Sequence, residues 1–252
     1  MTNPHIFRRV RLAQKIVADT ANWYEVVSSA LMRRPLTSIQ RRGGPPISAR
    51  PEVQLWDHFN DIWYHHSYTR HTSIPMGAVV VDIGANIGLF ALYAARTAAT
   101  VYAIEPSTSN FEYLVQNTSK FANISSYKLA IAANDGRARL VISGSPTAYS
   151  LVSNDDSHFE VIETMCLDTF FTTLGISRCN FLKLDCEGAE YEIILNADSR
   201  CLERIDRIVL EYHDDITPYS HRDLLAKLDH HGFSTTKYKA QGQLGMIAAI
   251  RA

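Results

Sequence analysis

The chain has 252 residues, 46% of them hydrophobic and 20% charged, and its 25 Lys and Arg nearly match its 26 Asp and Glu for a net charge of −1. That length buries a full core and suits one α/β domain with an N-terminal extension. The even charge balance excludes a general binder of nucleic acid or of anionic membranes, and no run reaches membrane-spanning length.

Residues 5–33 carry an apolar stripe, Ile6, Val10, Ala13, Val17, Tyr24, Val27 and Leu31, at helical steps of three and four with a gap near Thr20 and Ala21. Asn22 followed by Glu25 allows a restart resembling a capping box, and hence two helices. The stripe suits packing on its own domain or a homodimer contact. Arginines cluster at Arg8, Arg9 and Arg11, and again at Arg33, Arg34, Arg41 and Arg42, and read as solvated surface. Pro35 ends the helix. Residues 36–42 and 46–50 flank Gly43-Gly44-Pro45 and predict a small hairpin. The aromatic and His-rich stretch from Trp56 to His71 should then lie across the mouth of the site that follows, offering Tyr64, His65 and Tyr68 to a substrate.

From Val79 onward strand and helix alternate. Strands are expected near 79–83, 100–104, 124–129, 180–184 and 206–211. Helices are expected near 87–98, 108–121, 187–197 and 220–231, with a closing hairpin over 232–239 and 244–250. The pattern predicts a doubly wound, Rossmann-like α/β fold. Its seven-stranded, mostly parallel sheet would end in an antiparallel hairpin, with residues 1–77 as a helical and hairpin extension and 78–252 as the main domain. Between 134 and 165 lie a two-strand signal around Asp135-Gly136 and a polar stretch, Ser143 to Ser157, whose Tyr149 and Ser150 suit an acceptor-side lid. The cysteines Cys166, Cys179, Cys186 and Cys201 show no paired spacing and read as reduced thiols of a cytoplasmic protein without a signal peptide.

The chemistry starts at Val79-Val80-Val81-Asp82-Ile83-Gly84-Ala85-Asn86-Ile87-Gly88, a β-branched strand running through an acid and two glycines into a helix. About twenty residues on, a second strand ends at Glu105-Pro106. This is a βαβ nucleotide cradle, in which glycines admit the ligand to the backbone and the distal acid accepts ribose hydroxyls. A dinucleotide fingerprint would need glycines at 86 and 89, where Asn and Leu stand. The acid-x-Gly-x-x-x-Gly spacing instead resembles motif I of class I S-adenosylmethionine (SAM) methyltransferases. Four blocks, VVDIGANIGLFALYAAR (80–96), AIEPSTSNFEYLVQN (103–117), FLKLDCEGAEYEIIL (181–195) and RIVLEYH (207–213), make the chain similar to the FkbM family of these enzymes. The resemblance implies O-methylation of a small-molecule, sugar, glycan or natural-product acceptor, while the charge balance and the lack of a membrane-length run speak for no nucleic-acid partner and no integral membrane segment.

Glu105 is placed to take the SAM ribose. Backbone N–H groups of the loop holding Gly84, Ala85, Asn86 and Gly88, and of the N-terminus of the helix that follows, suit the methionine carboxylate. Asp82 would balance the ammonium or orient the loop, and the loop around Leu129 to Ala132, with Ala130, would meet the adenine, with Asp135 a partner for its amino group or, more in keeping with an Asp-Gly pair, a turn former. At the acceptor side, the strand ends bring Asp185 and Glu187, then Glu211 and His213. His213, with an ordinary pKa near neutrality (~6.5), is the best-suited general base, oriented or replaced by Asp185 or Glu187. Glu187 would equally serve as a helix cap, and Glu190 reads as a helix-surface acid. The same acids and His213 could hold a divalent metal, which is not the favoured reading. Competing functions are an N-methyltransferase on the same fold, a nicotinamide oxidoreductase, and a non-catalytic SAM-binding or partner module.

Overall fold

A computed structural model describes residues 4–32, 34–142, 149–150, 159–214 and 216–252. Two helices, α1 (Pro4–Asp19) and α2 (Trp23–Met32), lead into a hairpin of β1 (Ser38–Gln40) and β2 (Pro46–Ser48). Asn22 does restart the helix, by a different device from a capping box. Its carboxamide donates to Glu25 Oε2 (2.8 Å) and to the Ser38 carbonyl (3.0 Å) and accepts from the Gln40 N–H (2.9 Å), tying the helix start to β1. The aromatic stretch opens with a helix not anticipated from sequence, α3 (Leu55–Trp63). Leu55, Phe59 and Trp63 recur every four residues and are its buried face, a periodicity that the surrounding aromatics concealed.

The main domain runs β3 (Val79–Ile83), α4 (Leu89–Ala94), β4 (Thr100–Ile104), α5 (Thr108–Thr118) and β5 (Ile124–Tyr127). It continues through β6 (Ala130–Ile131), β7 (Gly136–Ile142), β8 (Tyr149–Ser150), β9 (Phe159–Met165) and α6 (Leu167–Thr173). It ends with β10 (Phe181–Leu184), α7 (Glu190–Asn196), α8 (Ser199–Glu203), β11 (Arg207–His213), α9 (His221–His230), β12 (Phe233–Gln241) and β13 (Leu244–Arg251).

Seven strands form one sheet in the order β12-β13-β11-β10-β3-β4-β5. Neighbours from β11 to β5 run parallel, and the closing hairpin adds β13 and β12 antiparallel. The fold is therefore the mostly parallel, doubly wound α/β sheet, whose central strands β3 and β10 are buried on both faces between two helical layers. A second sheet, β6-β9-β7-β8, holds the two-strand signal around Gly136. Two further short helices were not anticipated. In α6 the Cys166 Sγ caps by accepting from the Thr169 N–H, and in α8 Asp198 accepts from the Cys201 N–H.

Two facts position the site. The chain winds outward from β3 in one direction and from β10 in the other, so the topological switch point lies between these two strands, where open α/β sheets bind ligands. The N-terminal helices pack on their own domain as well, with Ile16 of α1 and Val26 of α2 sharing a hydrophobic cluster with Leu89 and Leu92 of α4. No described helix is long and apolar enough to cross a membrane.

Candidate active site

The turn after β3 holds three residues in the left-handed region, Gly84 (φ +74°), Asn86 (φ +51°) and Gly88 (φ +91°). A Cβ on Gly84 would lie 1.8 Å from the Asp185 carbonyl oxygen, so only glycine lets the ends of β3 and β10 close up here. Asn tolerates positive φ, and Asn86 adds a bond from the Ile87 N–H to its own Oδ1 (2.8 Å). The loop amides are all consumed internally. Gly84 and Ala85 donate to the Ile104 carbonyl, Asn86 to Glu105 Oε2, Ile87 to Asn86, and Gly88 to the Ala85 carbonyl. The expectation that these groups receive a carboxylate is therefore corrected: their hydrogen bonds shape the turn.

Beneath the turn, Asp82 and Lys183 stand opposite each other on β3 and β10 and pair at 3.0 Å, both buried. The Lys183 ammonium also donates to the Gly84 carbonyl (2.6 Å) and the Ile83 carbonyl (3.3 Å). Burial raises the Asp82 pKa and Lys183 pulls it back down. Burial alone would lower Lys183, but Asp82 and Asp185 hold it above its usual value, so a buried ion pair fixes the loop from below. Glu105, at the end of β4, is buried and accepts from the Asn86 and Ser107 N–H groups at 2.9 and 3.0 Å. Burial pushes it up to about 7 against the pull of those bonds.

Across the switch point, β10 ends at a second acidic group. Asp185 accepts a 2.5 Å hydrogen bond from Tyr68 Oη and lies 4.0 Å from Lys183. Burial works against its charge, yet Lys183 and the Tyr68 bond keep it below the usual carboxylate range. Glu187 does not begin a helix: it occupies the turn before α7 at φ +55°, a strained position for a residue with a side chain. The turn is held by Glu190, whose two carboxylate oxygens accept from the Cys186 N–H (2.5 Å) and the Gly188 N–H (2.8 Å). Glu190 is fully buried, which corrects its reading as a surface acid. Its distance of four from the Cys186 amide is a signal that sequence inspection could have used.

His213, at the end of β11, lies between these acids, with Nε2 3.6 Å from Glu187 and Nδ1 3.8 Å from Glu190. Burial would lower its pKa, but Glu190, Glu187 and Asp185 together push it up to about 9. A neutral His213 base at pH 7 is thus corrected to an imidazolium enclosed by carboxylates. Glu187 is pushed up to about 7 by burial and by repulsion from Asp185 and Glu190, which His213 partly offsets. Glu211 rises to about 8 through burial and Asp185, so it keeps its proton at neutral pH.

One cavity joins both groups. Gly84, Ala85, Asn86, Glu105, Pro106 and Ala130 line one side, and Tyr68, Asp185 and Glu187 line the other. Leu129 and Ile131 also line the cavity, within the stretch expected to meet the adenine, while Ile104, Asn110 and His58 were not anticipated there and Lys183 was given no role. Asp82, Gly88, Glu211 and His213 are not among the cavity's lining residues. Asp135 is away from it, accepting from the Cys166 N–H and Thr169 Oγ1 at the start of α6. Tyr64 and His65 face a different cavity. Tyr149 and Ser150 form β8, but their side chains and the remainder of the expected 145–157 lid lie outside the described residues. No group of three or more His, Cys, Asp or Glu among the described residues is arranged to hold a metal ion.

A family model for the methyltransferase FkbM domain matches residues 82–235, from Asp82 of β3 into β12. The chain belongs to the FkbM methyltransferase family. Its relatives include the AMB antimetabolite synthetase AmbE of Pseudomonas aeruginosa, 29% identical over 268 aligned residues that take in 88% of this chain and 12% of AmbE. The chain thus corresponds to a small part of that protein. The hexuronic acid methyltransferase AglP of Haloferax volcanii is 26% identical over 59% of this chain and 62% of its own length. The 31-O-demethyl-FK506 methyltransferase FkbM of Streptomyces tacrolimicus is 25% identical over 70% of this chain and 80% of its own. The cofactor of this FkbM domain is SAM, and the cavity suits it: a buried strand-end carboxylate stands beside an apolar slot at the switch point.

Proposed function

We propose that the protein is a SAM-dependent O-methyltransferase whose acceptor hydroxyl meets Glu187. The observation that carries this reading is the single cavity with the Glu105 wall on one side and the Asp185–Glu187 wall on the other. In this reading Glu105 accepts the ribose hydroxyls, and Leu129, Ala130 and Ile131 flank the adenine. Lys183, whose ammonium is taken up by Asp82 and by the Gly84 and Ile83 carbonyls, lines the cavity and holds the loop in place for the methionine end of the cofactor. Bound there, SAM supplies an electrophilic methyl group.

The protein's own part is to orient the acceptor and remove its proton. Glu187, half-exposed and poised at about 7, is ionised in a large fraction of molecules at neutral pH and takes that proton. The His213 imidazolium beside it limits the build-up of negative charge. Asp185, kept ionised by Lys183 and held by Tyr68, accepts a hydrogen bond from a second acceptor hydroxyl. An acceptor with more than one hydroxyl suits this pair of carboxylates, in keeping with one relative named for a hexuronic acid and another for 31-O-demethyl-FK506.

The test is transfer of a deuterated methyl group from SAM to a panel of uronic acid glycosides, polyol macrolides and matched amines, read by mass spectrometry. Product on hydroxyl acceptors, lost in Glu187→Gln, is the expected result. Transfer to amines alone would replace this reading with N-methylation.

A further inference from the structure

The second cavity lies between α1, the segment 64–74 and the C-terminal end of α4. Arg11 and Lys15 enter it from α1, Arg70 from the connecting segment and Arg96 from beyond α4, together with His65 and His66. No carboxylate lines it, and none of the four Lys and Arg side chains pairs with a carboxylate among the described residues. In a chain of net charge −1 this is a marked local excess. Charges of one sign gathered in a concavity focus their field and raise the local concentration of counter-ions. That field is felt inside: burial lowers the His66 pKa, and Lys15, Arg96, His65 and Arg70 lower it further.

The cavity also offers surfaces for an organic body. The Tyr93 hydroxyl is 3.1 Å from His66 Nδ1 and 3.2 Å from Thr69 Oγ1, and the Arg96 guanidinium lies 5.4 Å from the Tyr93 ring centroid. Leu12 and Ile74 add apolar contacts. A lone carboxylate would leave most of this charge uncompensated. A phosphate or diphosphate presents several oxygens, which guanidinium forks engage in pairs.

We propose that this cavity is a second ligand site that takes a phosphate-bearing organic molecule, a nucleotide or a sugar phosphate. It is separate from the cofactor cavity. The segment 64–74 divides the two, presenting Tyr68 to Asp185 on one side and His65, His66, Thr69 and Arg70 to the second cavity on the other. Tyr64 and His65, expected at the methyl acceptor, belong to this second site.

The test is calorimetry at low ionic strength with pyrophosphate, UDP and glucose 1-phosphate, alongside a proton NMR titration of the histidines. Saturable binding of UDP or glucose 1-phosphate is expected, with a rise in the His66 pKa and roughly tenfold weaker binding in Lys15→Ala/Arg70→Ala, whereas binding of pyrophosphate alone would overturn the organic ligand. Both substituted side chains are exposed, and unchanged S-adenosylhomocysteine affinity in that variant would show the fold and first cavity intact. Whichever organic phosphate binds tighter identifies the source of the phosphate. No saturable binding of any probe, or equal affinity in the double variant, would overturn the proposal. Binding to phosphatidylglycerol vesicles with the soluble phosphates silent would overturn it too, assigning the surface to a membrane.

Discussion

Glu105 and Glu187 stand on opposite walls of one cavity and both are pushed up to about 7, for different reasons. For Glu105 the cause is burial, opposed by hydrogen bonds from the Ser107 and Asn86 amides and from Asn110. For Glu187 it is burial followed by the charges of Asp185 and Glu190, opposed by His213. One wall is a carboxylate set in fixed backbone donors, suited to holding a ligand. The other is a carboxylate among carboxylates, whose proton affinity depends on its neighbours. A similar proton affinity therefore supports binding on one side and proton transfer on the other, and substitutions separate the two.

The largest effect should come from joining the walls badly. Gly84→Ala places a methyl group against the Asp185 carbonyl at a left-handed φ, and should destabilise the fold by on the order of 3 kcal/mol or more in urea unfolding. Stability like that of the wild type would mean that the strand ends do not meet as described. Next, Glu187→Gln should lower turnover about 100-fold or more, with little change in cofactor affinity. In the wild type, the rate should rise through about pH 7 as Glu187 ionises and fall above about 9 as His213 loses its proton. A flat profile across that range would remove Glu187 as the base.

A subtler effect is expected from Glu190→Gln. Losing this charge lowers the proton affinity of both Glu187 and His213, so both limbs of the pH–rate profile should move to lower pH. A role confined to bracing the turn would lower the rate without moving the limbs. The smallest effect concerns stability. The His213 pKa is raised from about 6.5 to about 9 on folding, so its stabilising contribution is complete below about 6.5 and is lost as pH rises through about 9. The stability gap between wild type and His213→Gln should accordingly shrink from about pH 6 to about pH 10.

The same division separates what was legible in the sequence from what was not. The cradle is local: β-branched residues 79–83, two glycines and a strand-end acid are consecutive or nearly so, and their periodicity and spacing sufficed to place them. Strands β3 and β4 match the expected limits residue for residue. The Asp185–Glu187 wall is assembled from three distant segments, and proton affinities there follow from distances that no spacing reveals. His213 reads from sequence as a base oriented by Asp185 or Glu187, but the part of Glu190 in raising its proton affinity is set by a distance that no spacing shows. Glu190 was misread because its role is to accept amides from its own turn, a bond invisible to helical periodicity. The loop amides of 84–88 were misassigned for the complementary reason: Glu105 and the Ile104 carbonyl, from the next strand, consume three of them. The second cavity escaped notice because Arg11, Arg70 and Arg96 are far apart in the chain.

The most direct measurement is calorimetric titration of S-adenosylhomocysteine into wild type, Glu105→Gln and Glu187→Gln. The two-wall account predicts saturable binding to the wild type, affinity roughly tenfold or more weaker in Glu105→Gln, and affinity near that of the wild type in Glu187→Gln. No binding to the wild type, or equal losses in the two variants, would contradict it.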